Sequence, residues 1–171
     1  INKIRDTSTS HERCSIVEVM GRNAGYIALW CGITNGAELV LIPEKERPTD
    51  EEIIREILKN KQRGKKHYLI ISAEGVGGSQ ELAAKIEEVT GIETRATILG
   101  YLQRGGSPSA LDRLHASMMG AMAVDLLCEG KSNRVIAYKD GKYVDYDINE
   151  ALKMTKTIDE RMYEVAKILS I

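Results

Sequence analysis

The stretch HYLIISAEGVGGSQELAAKIEEVTGIETRATIL, residues 67–99, decides the fold class. His67 to Ala73 is an apolar run of strand length, too short for a helix. Gly75-Val76-Gly77-Gly78 reads as a loop, and Ser79 is placed to cap a helix that runs through Glu88 and ends at Gly91. Glu93 to Leu99 is then a second strand. A strand, a helix and a strand in succession predict a crossover unit with its two strands parallel.

The same alternation continues on both sides. Toward the N-terminus, Cys14 to Met20 predicts a short buried strand, and Ala24 to Ile33 a helix ending near Asn35-Gly36. Glu38 to Ile42 reads as a strand stopped by Pro43. Thr49 with Glu52 makes a capping box for a helix over Asp50 to Asn60, whose apolar face carries Ile53, Ile54, Ile57 and Leu58. Toward the C-terminus comes the turn Arg104-Gly105-Gly106-Ser107-Pro108, then a long helix from Ser109 to Glu129 closed by Gly130. Arg134 to Lys139 and Lys142 to Tyr146 form a hairpin around Asp140-Gly141, and a last helix covers Asp159 to Leu169. The expectation is an α/β layered fold, a mainly parallel sheet flanked by helices, in a single domain over residues 1–171. Ligands of such sheets bind at loops beyond the strand carboxyl ends.

Basic residues number 24 and acidic residues 25, so no global field recruits nucleic acid or an anionic membrane. Any anion must be gripped by local clusters. No apolar run approaches the roughly 20 residues that span a bilayer, and the front has no charged-then-apolar pattern. Cys14, Cys31 and Cys128 form no CxxC pair and no metal spacing with His11, His67 or His115. Buried thiols in a reducing cytoplasm, with no metal site, are expected. The first residue is Ile1 rather than Met, which suggests a chain cut from something longer.

Four clusters carry candidate chemistry. Arg5-Asp6-Thr7-Ser8-Thr9-Ser10-His11-Glu12-Arg13 is either a polar loop leading into a strand or an oxyanion clamp of guanidinium and hydroxyl groups. Met20-Gly21-Arg22-Asn23-Ala24-Gly25 lies between a strand and a helix, where backbone amides suit an anion or sugar hydroxyls. It is no P-loop, since GxxxxGK[ST] is absent. Arg63-Gly64-Lys65-Lys66-His67 is either a solvated helix end or a grip for a polyphosphate. In the fourth, Arg95 stands at a strand entrance and Arg104 beyond its exit, while Glu74 closes the strand before it and can accept sugar hydroxyls.

The blocks RDTSTSHERCSIVEVMGRNAGYIAL, GAELVLIPE, GKKHYLIISAEG and ETRATILGYLQRGGSP, in this order, resemble the C-terminal half of the bacterial ATP-type 6-phosphofructokinases. The resemblance runs from about Ile4 to Ala166 and weakens after Lys131. It implies a fructose 6-phosphate site of Arg13, Met20, Gly21, Arg22, Glu74, Arg95, Tyr101, Leu102, Gln103 and Arg104. Within it, Arg13 and Arg95 reach the phosphate from a neighbouring subunit, Arg104 holds the 6-phosphate, and Arg22 also serves catalysis beside the transferring phosphoryl group. It implies an allosteric site for ADP, GDP or phosphoenolpyruvate made of Arg5, Gly36, Ala37, Glu38, Arg63, Lys65, Lys66 and His67.

What the resemblance implies for function is transfer of the ATP γ-phosphoryl group to the 1-hydroxyl of fructose 6-phosphate, with magnesium, in a cytoplasmic homotetramer. The nucleotide, the metal and the catalytic base belong to the half that this chain lacks, so the chain alone is expected to be inactive. Two departures stand out: the missing half, and Tyr101 where the family usually has His. A phenol donates a hydrogen bond to phosphate but carries no positive charge near neutrality. The alternatives are a pyrophosphate-dependent relative and a non-catalytic sugar-phosphate or nucleotide sensor.

Overall fold

The computed structural model describes residues 1–155 and 157–169, the side chain of Thr9 excepted. They fall into two compact units: Ile1–Gly105 joined by the segment from Ile158 onward, and Gly106–Thr157.

The first unit is built on β1 (Cys14–Val19), β2 (Leu39–Leu41), β3 (Tyr68–Ala73) and β4 (Thr94–Ile98). All are parallel, in the order β2-β3-β1-β4, with Cys14 level with Tyr68 on one side and Thr94 on the other. The near-continuous apolar strands follow from burial on both faces. Cys14, Ile16, Tyr68 and Ile70 pack with Ile53, Ile54 and Ile57 of α3 (Asp50–Gln62) and Leu82 and Ile86 of α4 (Ser79–Thr90). The alternate residues Val17, Val19, Leu69, Ile71 and Ala73 pack with Ala28 and Leu29 of α2 (Tyr26–Asn35) and Ala166 of α7 (Glu160–Leu169). The predicted α/β class with a parallel sheet between helices is what the chain forms.

Local signals explain most boundaries. Thr49 and Glu52 close the expected capping box of α3. Gly36 ends α2 in the left-handed region, as expected. Two expectations need correction. The N-cap of α4 is Gly78, and Ser79 instead donates its hydroxyl to Glu18 on β1 at 2.5 Å. The polar run before β1 is no loop: it is α1 (Asn2–His11). Thr7 and Ser8 turn their hydroxyls back to the carbonyls of Lys3 and Ile4, at 2.9 and 2.8 Å, which satisfies them within the helix. Ser8 is also buried, its Oγ 2.5 Å from that of Ser15 on β1. The third hydroxyl of that run, on Thr9, lies outside the described side chains.

The second unit holds α5 (Ala110–Cys128), the antiparallel hairpin β5 (Arg134–Lys139) and β6 (Lys142–Asp147), and the short α6 (Ile148–Ala151), which was not anticipated. Asp140 and Gly141 both take positive φ, 51° and 79°, as a two-residue hairpin turn requires. Ser109 caps α5 reciprocally with Asp112. The expectation of buried thiols holds for Cys14 and fails for Cys128, which is exposed, with Cys31 between them. Only Leu126 of α5 is buried, although the helix is apolar on every side, so an apolar neighbourhood did not report burial.

Candidate functional site

At the carboxyl edge of the parallel sheet, three strand ends converge. The segment after β1 carries Met20, Gly21 and Arg22, Glu74 directly follows β3, and a 3₁₀ turn over Gly100–Arg104 follows β4. Glu74 Oε1 accepts the amide of Gly21 at 3.1 Å and also that of Arg22, while Gln103 Oε1 accepts the amide of Met20 at 2.7 Å. Glu44, beyond β2, takes the Gly25 amide with both oxygens, at 2.9 and 3.1 Å. These bonds correct the reading of this segment as a set of open amides: carboxylates of the chain already hold the amides of Gly21, Arg22 and Gly25. Side chains remain for a ligand, with Glu74 Oε2 outside these bonds.

The loop is held tightly. A Cβ on Gly75 would stand 2.2 Å from the Arg22 carbonyl oxygen, so only glycine lets the two turns approach. Arg22 takes φ 54°, a left-handed conformation that costs a non-glycine residue about 1–2 kcal/mol. The Glu74 bond to its amide helps to hold it there. Tyr101, Leu102 and Arg104 are exposed on the neighbouring turn. Glu44 was missed in the sequence; its place just after a strand, like that of Glu74, was the available signal.

Arg13 and Arg95 stand at the opposite, amino edge, where β1 and β4 begin. Glu93 joins them: Oε2 accepts Arg13 Nε at 2.6 Å, and Oε1 accepts Arg95 Nη2 at 2.7 Å and Nε at 3.0 Å. The Arg13 guanidinium, and after it that of Arg95, holds the Glu93 carboxyl below the usual carboxylate range. A cavity of about 340 Å³ adjoins the pair, lined by Lys3, Thr7, Ser8, Ser15, Arg13 and Arg95 among others. The structure therefore does not bring Arg13 and Arg95 to the Glu74–Arg22 group of the same chain, and six strand residues separate the two edges, about 20 Å.

The effector-type residues also gather at the amino edge. Gly36, Ala37 and Glu38 precede β2, and Lys65, Lys66 and His67 precede β3. Glu38 pairs with Lys65 at 2.6 Å and accepts the Leu69 amide. Arg5 donates to the Asn35 carbonyl at 3.4 Å, beside Gly36, and Lys66 pairs with Glu12 at 2.8 Å. Arg63 caps α3 and, with Asn60, Gly64 and Lys65, lines a cavity of about 330 Å³. Among the described residues no group of three or more His, Cys, Asp or Glu side chains is arranged to hold a metal ion. No described helix is long and apolar enough to cross a membrane.

Residues 1–127 match the family described as Phosphofructokinase. The ATP-dependent 6-phosphofructokinases of Clostridium botulinum (strain Hall) and Clostridium acetobutylicum (strain ATCC 824) are 58% and 60% identical to the chain over 170 residues, 99% of its length. The chain spans about half the length of these curated relatives, 53%. Among solved structures, a phosphofructokinase from Saccharomyces cerevisiae superposes with a TM-score of 0.81 at 30% identity, covering 99% of this chain and 24% of that one. A pyrophosphate-dependent phosphofructokinase from Nitrosospira multiformis gives 0.74 at 19% identity over 98% of this chain and 50% of its own, a likeness of fold alone.

Proposed function

The chain belongs to the phosphofructokinase family, and we propose that it forms the sugar-phosphate- and effector-binding part of an ATP-dependent 6-phosphofructokinase. The observation that carries this reading is the carboxyl-edge group, in which Gln103 ties Met20 to the turn that bears Arg104 and Glu74 ties Gly21 and Arg22 to the end of β3. Arg104 would grip the 6-phosphate of fructose 6-phosphate, and Glu74 Oε2 would accept the sugar hydroxyls. Met20, Gly21, Tyr101, Leu102 and Gln103 would form the walls. Arg22 would lie along the transferring phosphoryl group and offset charge as the γ-phosphoryl of ATP passes to the 1-hydroxyl. The high identity to relatives named ATP-dependent favours ATP over pyrophosphate as donor, even with Tyr101 in its unusual place.

The opposed edges accord with a shared site. Arg13 and Arg95 of one copy would complete the sugar-phosphate site of a neighbouring copy in a homotetramer. A dianionic phosphate needs several converging guanidinium groups, because one ion pair in water yields only about 1 kcal/mol. Arg5, Gly36, Ala37, Glu38, Arg63, Lys65, Lys66 and His67 would take ADP, GDP or phosphoenolpyruvate as effector. By the family resemblance, the metal, the nucleotide and the base that deprotonates the 1-hydroxyl would be supplied by groups outside this chain. The working place would be the cytoplasm, in glycolysis. A panel of fructose 6-phosphate, glucose 6-phosphate and inorganic phosphate tests the reading by calorimetry. Preference for fructose 6-phosphate supports it, and equal binding of all three counts against it.

A further inference from the structure

We propose that Glu93 is a positioning residue, a brace that sets Arg13 and Arg95 side by side for one oxyanion. The assignment rests on the sugar-phosphate reading of those two arginines and adds a role for the acid between them.

The β frame sets this arrangement. Ser15 lies level with Arg95 in the parallel register, so one step earlier Arg13 lies level with Glu93. The Cys14 amide bonds the Glu93 carbonyl at 3.0 Å, and the Tyr68 amide bonds the Arg13 carbonyl at 3.0 Å, so both backbones are anchored. Residues two apart on a strand share a face. Arg13, Glu93 and Arg95 therefore project from one side of the sheet.

The carboxylate divides itself between the guanidiniums, one oxygen to each. It takes Arg13 through Nε, and Arg95 through Nε and Nη2. Each guanidinium has five N–H donors, so donors remain on both for a further anion. Arg13 and Arg95 line the 340 Å³ cavity, whereas Glu93 lines a different one, with Lys61, Lys66 and Tyr68. A ligand in the first cavity thus meets two guanidiniums, with the acid holding them from outside its lining. The Arg95 side chain is two-thirds exposed. Without a partner, such a long side chain would sample many rotamers and lose that freedom on binding.

This makes a prediction of sign. Glu93→Gln removes a negative charge beside a site for an anion, so charge alone would tighten binding. A brace predicts the reverse: affinity for inorganic phosphate falls about tenfold, the cost of ordering two freed side chains. Phosphate is titrated into the unaltered chain and into Glu93→Gln by calorimetry, with circular dichroism to verify that both are folded. In parallel, the Arg13 and Arg95 Nε–H signals are followed by NMR, and they should be sharp and protected only while Glu93 is present. Weaker phosphate binding together with loss of the Nε–H protection supports the brace. Equal or tighter binding in Glu93→Gln overturns it, as does unchanged Nε–H protection or failure of the unaltered chain to bind phosphate. If phosphate binding depends on Glu93 but fructose 6-phosphate gains nothing over phosphate, the brace stands and the sugar reading falls.

Discussion

Gly21 donates its backbone amide to the Glu74 carboxylate at 3.1 Å, fastening the end of β1 to the end of β3. The same oxygen holds the amide of Arg22, which stands in the left-handed region. Glu74→Ala frees both amides, and each lost bond is worth about 1 kcal/mol. Urea titration should show a loss of about 1–2 kcal/mol. Calorimetry should show fructose 6-phosphate binding weakened at least tenfold, and unchanged affinity would remove Glu74 from the site.

Two glycines of the same edge should behave differently. Alanine at Gly75 would drive a Cβ to 2.2 Å from the Arg22 carbonyl oxygen, whereas at Gly105 the nearest atom, the Leu102 carbonyl oxygen, is 3.7 Å away. Gly105 also has an ordinary φ of −91°. Gly75→Ala should cost about 1–3 kcal/mol by forcing the loops apart, and Gly105→Ala should be near neutral. Thermal melting of both variants checks this contrast, and equal losses would contradict the close approach.

Acid should destabilise the fold through identifiable carboxylates. Arg13, then Arg95, holds the Glu93 carboxyl low; Arg47, then Lys85, does so for Asp50; the Thr49 amide does so for Glu52. Their native values lie below the unfolded ones of about 4. Their contribution is therefore full above that range and is lost as pH falls through the lowered values. Urea midpoints should be flat near neutrality and drop below about pH 4, less steeply in Glu93→Gln. An unaltered slope in that variant would show that Glu93 gains nothing from its arginines on folding.

The thiols should separate by burial. Cys14 is 0% exposed, and burial above all, then the charge of Glu38, pushes its thiol up to about 12. Thiolate is the reactive form. A thiol reagent near neutral pH should label exposed Cys128 in the folded chain and reach Cys14 only in denaturant. Prompt labelling of Cys14 in the folded chain would contradict the core described here.

The sheet was legible in the sequence because its strands are apolar runs and its helices carry local caps; Thr49 with Glu52 is the clearest case. The helix over Asn2–His11 was not, since what anchors it is contact between elements, Ser8 bonding Ser15 and Ile4 packing on the core, rather than a propensity. The same holds for the site. Arg13, Arg22, Arg95 and Arg104 stand out by type and position. The acids that organise the neighbouring backbone and side chains, Glu44 and Glu93, look like ordinary surface carboxylates until folding brings Gly25 and Arg13 to them. The apolar neighbourhood also misled at Cys128, because α5 is apolar on every side.

The most direct test is a calorimetric titration of the chain with fructose 6-phosphate beside an Arg104→Ala variant, with the oligomeric state of both measured in the same buffer. The account predicts saturable binding by the unaltered chain that Arg104→Ala loses. A folded oligomer that does not bind the sugar phosphate, or that binds it equally well without Arg104, would contradict the substrate assignment.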